Sequence, residues 1–135
     1  MSVIVTDTGF GPDDFTPGFP AASDVHGGTE IIALAPDTDP ALLPDIARAA
    51  QAIVIDFPAF NDGRGFTLAR LLRQAGFTGR LRARGHVIAD QYTMARRAGF
   101  DEVEISDDLA ARQPQAQWMA RANWRAHDYQ SRLRG

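Results

Sequence analysis

Residues that could bind an anion lie between Asp56 and Thr67, where an apolar run ends and a helical pattern begins. Residues 52–55 form the apolar run, and leucines and alanines at helical spacing follow from Leu68. A strand that leads into a helix through a loop rich in Gly, Asp, Asn and Arg is a common binding site in α/β proteins. The first turn of such a helix has unpaired backbone N–H groups, which attract anions. The segment therefore predicts an anion site, but it names neither the anion nor a reaction.

The predicted ligand-binding residues lie in this loop and on the strand after the helix. Two glycines would let a ligand approach the backbone closely, and an arginine would add a fixed positive charge. Side chains alternate along a strand, so Arg80, Arg82 and Arg84 would share one face. Two alternatives stay open: Arg64 pairs with Asp62 or Asp56, or the arginine row is a solvated edge. The predicted set is Asn61, Asp62, Gly63, Arg64, Gly65, Arg82 and Arg84.

Three polar residues are candidates for acid–base catalysis: Asp56, His86 and Asp90. Asp56 ends a buried strand, where it caps the loop by accepting backbone N–H groups, orients Arg64 or acts as a base. Asp90 follows His86 by four residues, so the two would share a helix face as an acid–base pair or as an ordinary surface pair. The sequence leaves open whether the protein catalyses anything.

The composition excludes several functional classes. The 135 residues include no cysteine, which removes thiolate catalysis and cysteine-ligated clusters, and all 14 lysine-plus-arginine residues are arginine. The net charge of -3 and the lack of a long apolar run argue against nucleic-acid binding and against a membrane span. No dinucleotide, nucleophile-elbow or paired-histidine motif is present, so no cofactor is identifiable and no metal site is predicted. We expect a cytoplasmic protein.

Strand and helix patterns alternate from residue 31 onward. Strands are predicted at 31–35, 52–56 and 79–84, and a fourth at 101–105 is placed at an edge of the sheet. Such alternation indicates parallel strands joined by right-handed crossovers. The predicted fold is α/β, a single small domain with a parallel sheet built from βα units. An open three-layer sheet is favoured over a half β/α barrel, which would expose two long edges unless the protein forms a homodimer.

Three segments are predicted along the chain. Residues 1–29 form an irregular, glycine- and proline-rich arm with a short strand at Ser2–Thr6. Residues 30–113 form the α/β core domain. Residues 114–135 form a helical extension, with Trp118 and Tyr129 on one stripe, which either packs on its own domain or docks on a partner.

Two blocks of the sequence resemble a bacterial family, domain of unknown function 934. The first runs from Asp56 to Arg73 and contains D-F-P and D-G-R-G; the second, residues 79–104, contains D-Q at residues 90–91 and G-F-D at residues 99–101. Members of this family are often encoded beside assimilatory sulfite reductase and are commonly labelled probable oxidoreductases involved in sulfite reduction. The resemblance implies a role in sulfur metabolism, while the missing cysteines and cofactor motifs argue against a redox centre in this chain.

The leading hypothesis is a small cytoplasmic accessory protein of assimilatory sulfite reduction. It would bind an oxyanion or a phosphate-bearing ligand at the carboxyl ends of the strands. One alternative is an interaction or assembly factor for sulfite reductase without a small ligand, and another is a small lyase or isomerase. The expected partners are therefore sulfite reductase and a small anion, and homodimerisation stays open.

Overall fold

The computed structural model describes residues 2–15 and 31–125, which form one six-stranded sheet with helices packed against it. The strands are β1 (Ser2–Thr6), β2 (Gly9–Gly11), β3 (Ile31–Leu34), β4 (Ala52–Phe57), β5 (Arg80–Gly85) and β6 (Glu102–Ser106). The helices are α1 (Leu43–Ala49), α2 (Arg64–Gln74), α3 (Tyr92–Ala98), α4 (Asp107–Arg112) and α5 (Gln115–Met119). Short 3₁₀ turns at Pro40–Leu42 and Ala89–Gln91 precede α1 and α3.

The sheet has the order β2-β1-β6-β5-β4-β3. Strands β3 to β6 are parallel and consecutive, while β1 pairs antiparallel with both β6 and β2. The predicted α/β class and the open sheet of βα units are therefore confirmed. The edge position predicted for residues 101–105 is wrong, because β1 pairs along the outer side of β6.

The helices lie against one face of the sheet. Right-handed crossovers between consecutive neighbouring strands put α1, α2 and α3 on the same side. Their buried side chains form one core cluster with strand residues such as Ile53 and Ile55. The opposite face carries Arg80, Arg82 and Arg84, because side chains alternate along β5. Within the described ranges the second helical layer of the favoured three-layer arrangement is absent, and the consecutive strand order is that of the half-barrel alternative with an antiparallel hairpin added.

Three phenylalanines hold α2 onto the centre of the sheet. The ring centroid of Phe57 lies 4.9 Å from that of Phe66 and 5.8 Å from that of Phe100. All three side chains are buried. Each stabilises the fold by about 1.5–3 kcal/mol through removal of its apolar surface from water. This cluster fixes the start of α2, and hence the loop that follows β4.

The described part of the C-terminal extension packs on its own domain. The Trp118 side chain is fully buried, and its indole N–H donates to the Gln113 carbonyl at 2.9 Å. Its ring meets the Tyr92 ring edge-on, with centroids 6.1 Å apart. Tyr129 lies outside the described residues, as does the arm from residue 16 to 29. None of the helices in the described ranges has the length and apolar character needed to cross a membrane.

Candidate functional site

The carboxyl ends of β3, β4, β5 and β6 point to one rim of the sheet, where parallel α/β sheets bind their ligands. Asp56 lies near the end of β4, Arg84 near the end of β5, and His86 directly after β5. Ser106 ends β6 and caps α4 by accepting the Leu109 N–H at 3.1 Å. The loops that carry these residues determine what can bind at the rim.

The predicted anion loop is occupied by a carboxylate of the chain itself. Asp62 lies next to Gly63, the N-cap of α2, and its Oδ1 accepts the Arg64 N–H at 3.2 Å. The Arg64 guanidinium donates two hydrogen bonds, of 2.9 and 2.7 Å, to the same carboxylate. The side-chain hydrogen bond from Arg64 lowers the pKa of Asp62, and the bond to Asp62 raises the pKa of Arg64. An external anion at this position would have to displace Asp62.

The two glycines of the loop have different surroundings. Gly65 is buried, and a Cβ atom there would lie 2.5 Å from Cζ of Phe57. Its small size therefore lets α2 pack against β4. Gly63 is exposed, and no described atom lies within 4 Å of the position of its Cβ. Asn61 is exposed beside it. Of the two glycines, only Gly63 is open to a ligand.

Arg82 is buried in a network of carboxylates on the face opposite the helices. Its guanidinium donates to Asp13 at 2.9 and 3.0 Å and to Glu104 at 2.9 Å, and it also pairs with Glu102. Arg80 bridges Glu102 and Asp14. Burial alone would lower the pKa of Arg82, but the hydrogen bonds and charges of these acids raise it. The Arg82 side chain therefore holds the segment after β2 against the sheet.

The acid–base candidates have separate partners. The Arg84 guanidinium binds Asp56 through two hydrogen bonds of 2.7 and 3.2 Å. Asp90 pairs with Arg121 at 3.1 Å. In residues 2–15 and 31–125, no hydrogen bond joins His86 to Asp90. The structure thus brings Asp56 and Arg84 together but does not assemble Asp56, His86 and Asp90 into one group.

A cleft of about 560 Å³ opens at the carboxyl ends of β5 and β6. Its described lining is Phe60, Gly85, His86, Ile88, Ser106, Leu109, Arg112 and Gln113. Gly85 has a φ of +116°, and a Cβ there would lie 2.5 Å from the Phe57 carbonyl oxygen, which accepts the His86 N–H at 2.9 Å. Glycine can adopt this tight turn because it has no Cβ, and the turn places His86 at the cleft.

Two glutamine side chains brace the loops around this cleft. Gln91 donates from Nε2 to the Phe60 carbonyl at 2.6 Å, which joins the loop after β4 to the loop after β5. Gln113 accepts the Ala89 N–H at 2.7 Å, which joins the loop after β5 to the end of α4. The walls of the cleft are therefore fixed relative to one another before a ligand arrives.

The described lining carries basic side chains and no carboxylate. Among the arginines in the described ranges, only Arg112 and Arg70 make no side-chain hydrogen bond, ion pair or ring contact. Arg112 lines the cleft together with His86, whereas Arg70 lies on the exposed surface of α2. A guanidinium without an internal carboxylate is available to bind an oxyanion through its fork of N–H groups.

Comparison with known families adds one match. The sequence model of a family described as "Bacterial protein of unknown function (DUF934)" matches residues 31–135. The chain belongs to this DUF934 family. No curated protein and no solved structure matches the chain.

The family match begins at the first residue of β3. It includes the whole described lining of the cleft and leaves β1 and β2 outside. Sequence reasoning placed His86 at the rim of this DUF934 protein but missed Phe60, Arg112 and Gln113 as lining residues. The rule that loops after neighbouring parallel strands meet would have extended the rim to Ser106. No spacing signal indicates that Arg112, at the far end of α4, returns to the same cleft.

Proposed function

We propose that this DUF934 protein is a cytoplasmic accessory protein of assimilatory sulfite reduction that binds an oxyanion in the cleft beside His86 and Arg112. The observation that supports the oxyanion is Arg112, a guanidinium with no acidic partner in the described structure, in a cleft whose described lining contains no carboxylate. The pathway rests on the family resemblance. The proposed ligand site is therefore the cleft after β5 and β6, whereas the sequence had predicted the loop after β4.

The chemistry of the lining suits an oxyanion. Arg112 presents two parallel N–H donors to a pair of oxygens. His86 offers a ring N–H, and the Ser106 hydroxyl, whose oxygen already accepts the Leu109 N–H, retains its own proton for donation. The Gln91 and Gln113 braces limit the loop movement needed on binding, which reduces the entropic cost of association.

Calorimetric titration at constant ionic strength tests the anion site. We expect sulfite, sulfate or phosphate to bind the wild type, and Arg112→Gln to weaken that binding about tenfold or more, as expected for loss of a charge-assisted fork. Arg70→Gln is the matched control, because Arg70 is equally unpaired but lies outside the cleft. Equal affinities of the wild type and Arg112→Gln, or absence of binding by all three anions, would contradict the proposed site.

Gene deletion in the bacterial host tests the pathway. The deletion strain should grow slowly on sulfate or sulfite and normally on cysteine, and its extracts should have lowered sulfite reductase activity. Complementation with wild type should restore growth, and complementation with Arg112→Gln should not. Unchanged growth on sulfite would refute the sulfite-reduction role while leaving the anion site to be judged by calorimetry.

One observation favours the alternative of a protein-contact factor for sulfite reductase. Phe60, at the cleft, is 57% exposed, more than Leu42 at 53% or Met94 at 49%, and it is the one of these three that lines the described cleft. If this residue docks on sulfite reductase, immobilised wild-type protein should retain the purified enzyme and Phe60→Ala should not. Truncation after Gln113 is a poor test of docking, because it removes Trp118 from the core.

A further inference from the structure

We infer that the ligand of the cleft is an oxyanion attached to an aromatic or other flat apolar body, such as an aryl or nucleoside phosphate, and not a free inorganic ion. This inference rests on the proposed oxyanion site and specifies the class of molecule that the site takes. Three features of the cleft support it: its size, the position of its apolar residues and an exposed aromatic side chain whose backbone is tied to the neighbouring loop.

The size of the cleft exceeds what a tetrahedral anion needs. Its volume of about 560 Å³ falls within the range of roughly 300–1,000 Å³ found for sites that enclose drug-sized molecules. A tetrahedral oxyanion is comparable to a few water molecules, each of which occupies about 30 Å³ in the liquid. An inorganic anion on Arg112 would therefore leave most of the cleft filled with water.

Part of the described lining is apolar and would contact a ligand body. Phe60, Ile88 and Leu109 line the cleft together with the polar groups Ser106 and Arg112. A ligand that carries its charge at one end and a flat apolar group at the other would satisfy both sets of side chains. Apolar contacts of this kind are common in small-molecule sites, where a few polar groups fix the orientation.

The aromatic side chain is an exposed and well-supported contact. Three large hydrophobic side chains are prominently exposed in the described ranges, Leu42, Phe60 and Met94, and only Phe60 lines the cleft. The Phe60 carbonyl is held by Gln91 at 2.6 Å, so the backbone that carries the ring is tied to the loop after β5. An aromatic ring carried on this backbone has only two side-chain torsions to order when it stacks on a flat ligand.

The test compares three probes of the same headgroup: inorganic phosphate, methyl phosphate and phenyl phosphate, each titrated calorimetrically at one pH and constant ionic strength. We expect phenyl phosphate to bind the wild type at least about tenfold more tightly than methyl phosphate, the gain typical of one aromatic stacking contact. Phe60→Ala should remove this preference, so that phenyl phosphate and methyl phosphate bind the variant with the same affinity. Met94→Ala is the control, because Met94 is 49% exposed and lies outside the described lining of the cleft.

The possible results distinguish failure of the proposed oxyanion site from failure of the inference that the ligand carries an aromatic body. If methyl and phenyl phosphate bind equally and Arg112→Gln weakens both, the oxyanion site stands and the aromatic body is refuted. If phenyl phosphate is preferred but Phe60→Ala keeps the preference, the body does not contact the cleft and the inference is overturned. If none of the probes binds the wild type, the oxyanion site and the inference both fail.

Discussion

Gly65 was predicted to contact a ligand, but in the structure its small size allows α2 to pack against the Phe57 ring. The Gly65→Ala substitution would put a methyl group 2.5 Å from the buried Phe57 ring. We expect a loss of about 1–3 kcal/mol in the free energy of unfolding, as for other overpacked cores. Urea denaturation of the purified variant measures this loss.

Gly63→Ala is the matched control for that substitution. Gly63 has a φ of -84°, which alanine adopts without strain, and the position of its Cβ is open in the described structure. The free energy of unfolding should therefore change by no more than about 0.5 kcal/mol. Equal losses in the two variants would mean that Phe57 does not set the requirement for glycine at position 65.

Arg82 is the residue whose removal should be most costly. Its buried guanidinium is paired with Asp13, Glu102 and Glu104. Arg82→Met would leave these carboxylates without their shared cation, and removal of one member of a buried ion pair typically costs about 3–5 kcal/mol. The free energy of unfolding from urea titration checks this value.

Arg64→Met is the comparison for Arg82, because Arg64 also pairs with a carboxylate but its side chain is 59% exposed. Its loss should change stability far less, since exposed ion pairs contribute little. Arg82→Met with wild-type stability would show that the carboxylates find other partners or solvent.

The sequence showed which residues could bind an anion, but it did not show which partners their side chains have in the fold. The pairing of Arg64 with Asp62 was one of the alternatives left open, and the structure has it. The burial of Arg82 could not be predicted, because its carboxylate Asp13 lies 69 positions away along the chain. A row of arginines on a strand looks the same in sequence whether its partners are solvent, ligands or distant acids.

At the scale of elements, the segment after β2 is attached to the sheet by charge. The side-chain hydrogen bond from Arg82 lowers the pKa of Asp13 to about 2, against an ordinary value of 3.8. Because the folded pKa lies below the unfolded one, the stabilisation is complete above about pH 4 and is lost as the pH falls towards 2.

The pH dependence of Asp13→Asn tests this attachment. The wild type should be more stable than the variant at pH 5 to 7, and the difference should shrink between pH 4 and 2, as measured by urea denaturation at each pH. The side chain of Asp13 is 38% exposed, so the difference will be modest. A difference that does not vary across this pH range would mean that Asp13 does not supply the acid-sensitive contact.

Most elements could be predicted from residues 31 to 113, where apolar runs and helical spacing alternate and glycines end the helices. Gly99, with a φ of +118°, is such a glycine at the C-cap of α3. The hairpin strand β2 could not be predicted, because its three residues carry no period-two pattern. Strand β6 is not at an edge because it pairs with β1, which is far from it along the chain. A pattern of neighbouring residues gives no information about such a long-range pairing.

For the whole molecule, the strand order predicts where the fold opens last. Strands β1, β6, β5 and β4 are hydrogen-bonded on both sides, whereas β2 and β3 lie at the two edges of the sheet. Backbone amides of these four inner strands should therefore exchange most slowly with deuterium, by the global unfolding route. Nuclear magnetic resonance on the labelled protein measures this. Exchange in β6 as fast as in β2 would contradict the central placement of β6.

The central claim is that the cleft beside Arg112, and not the loop at Arg64, binds the oxyanion. A phosphate titration followed by ¹H–¹⁵N spectra at constant ionic strength tests it most directly, because every amide and arginine side chain reports separately. We expect saturable shifts of the Arg112 side chain and of the Gly85, His86 and Gln113 amides, with Arg64 unaffected. Shifts centred on the amides of Gly63, Arg64 and Gly65, with those of the cleft unchanged, would contradict it.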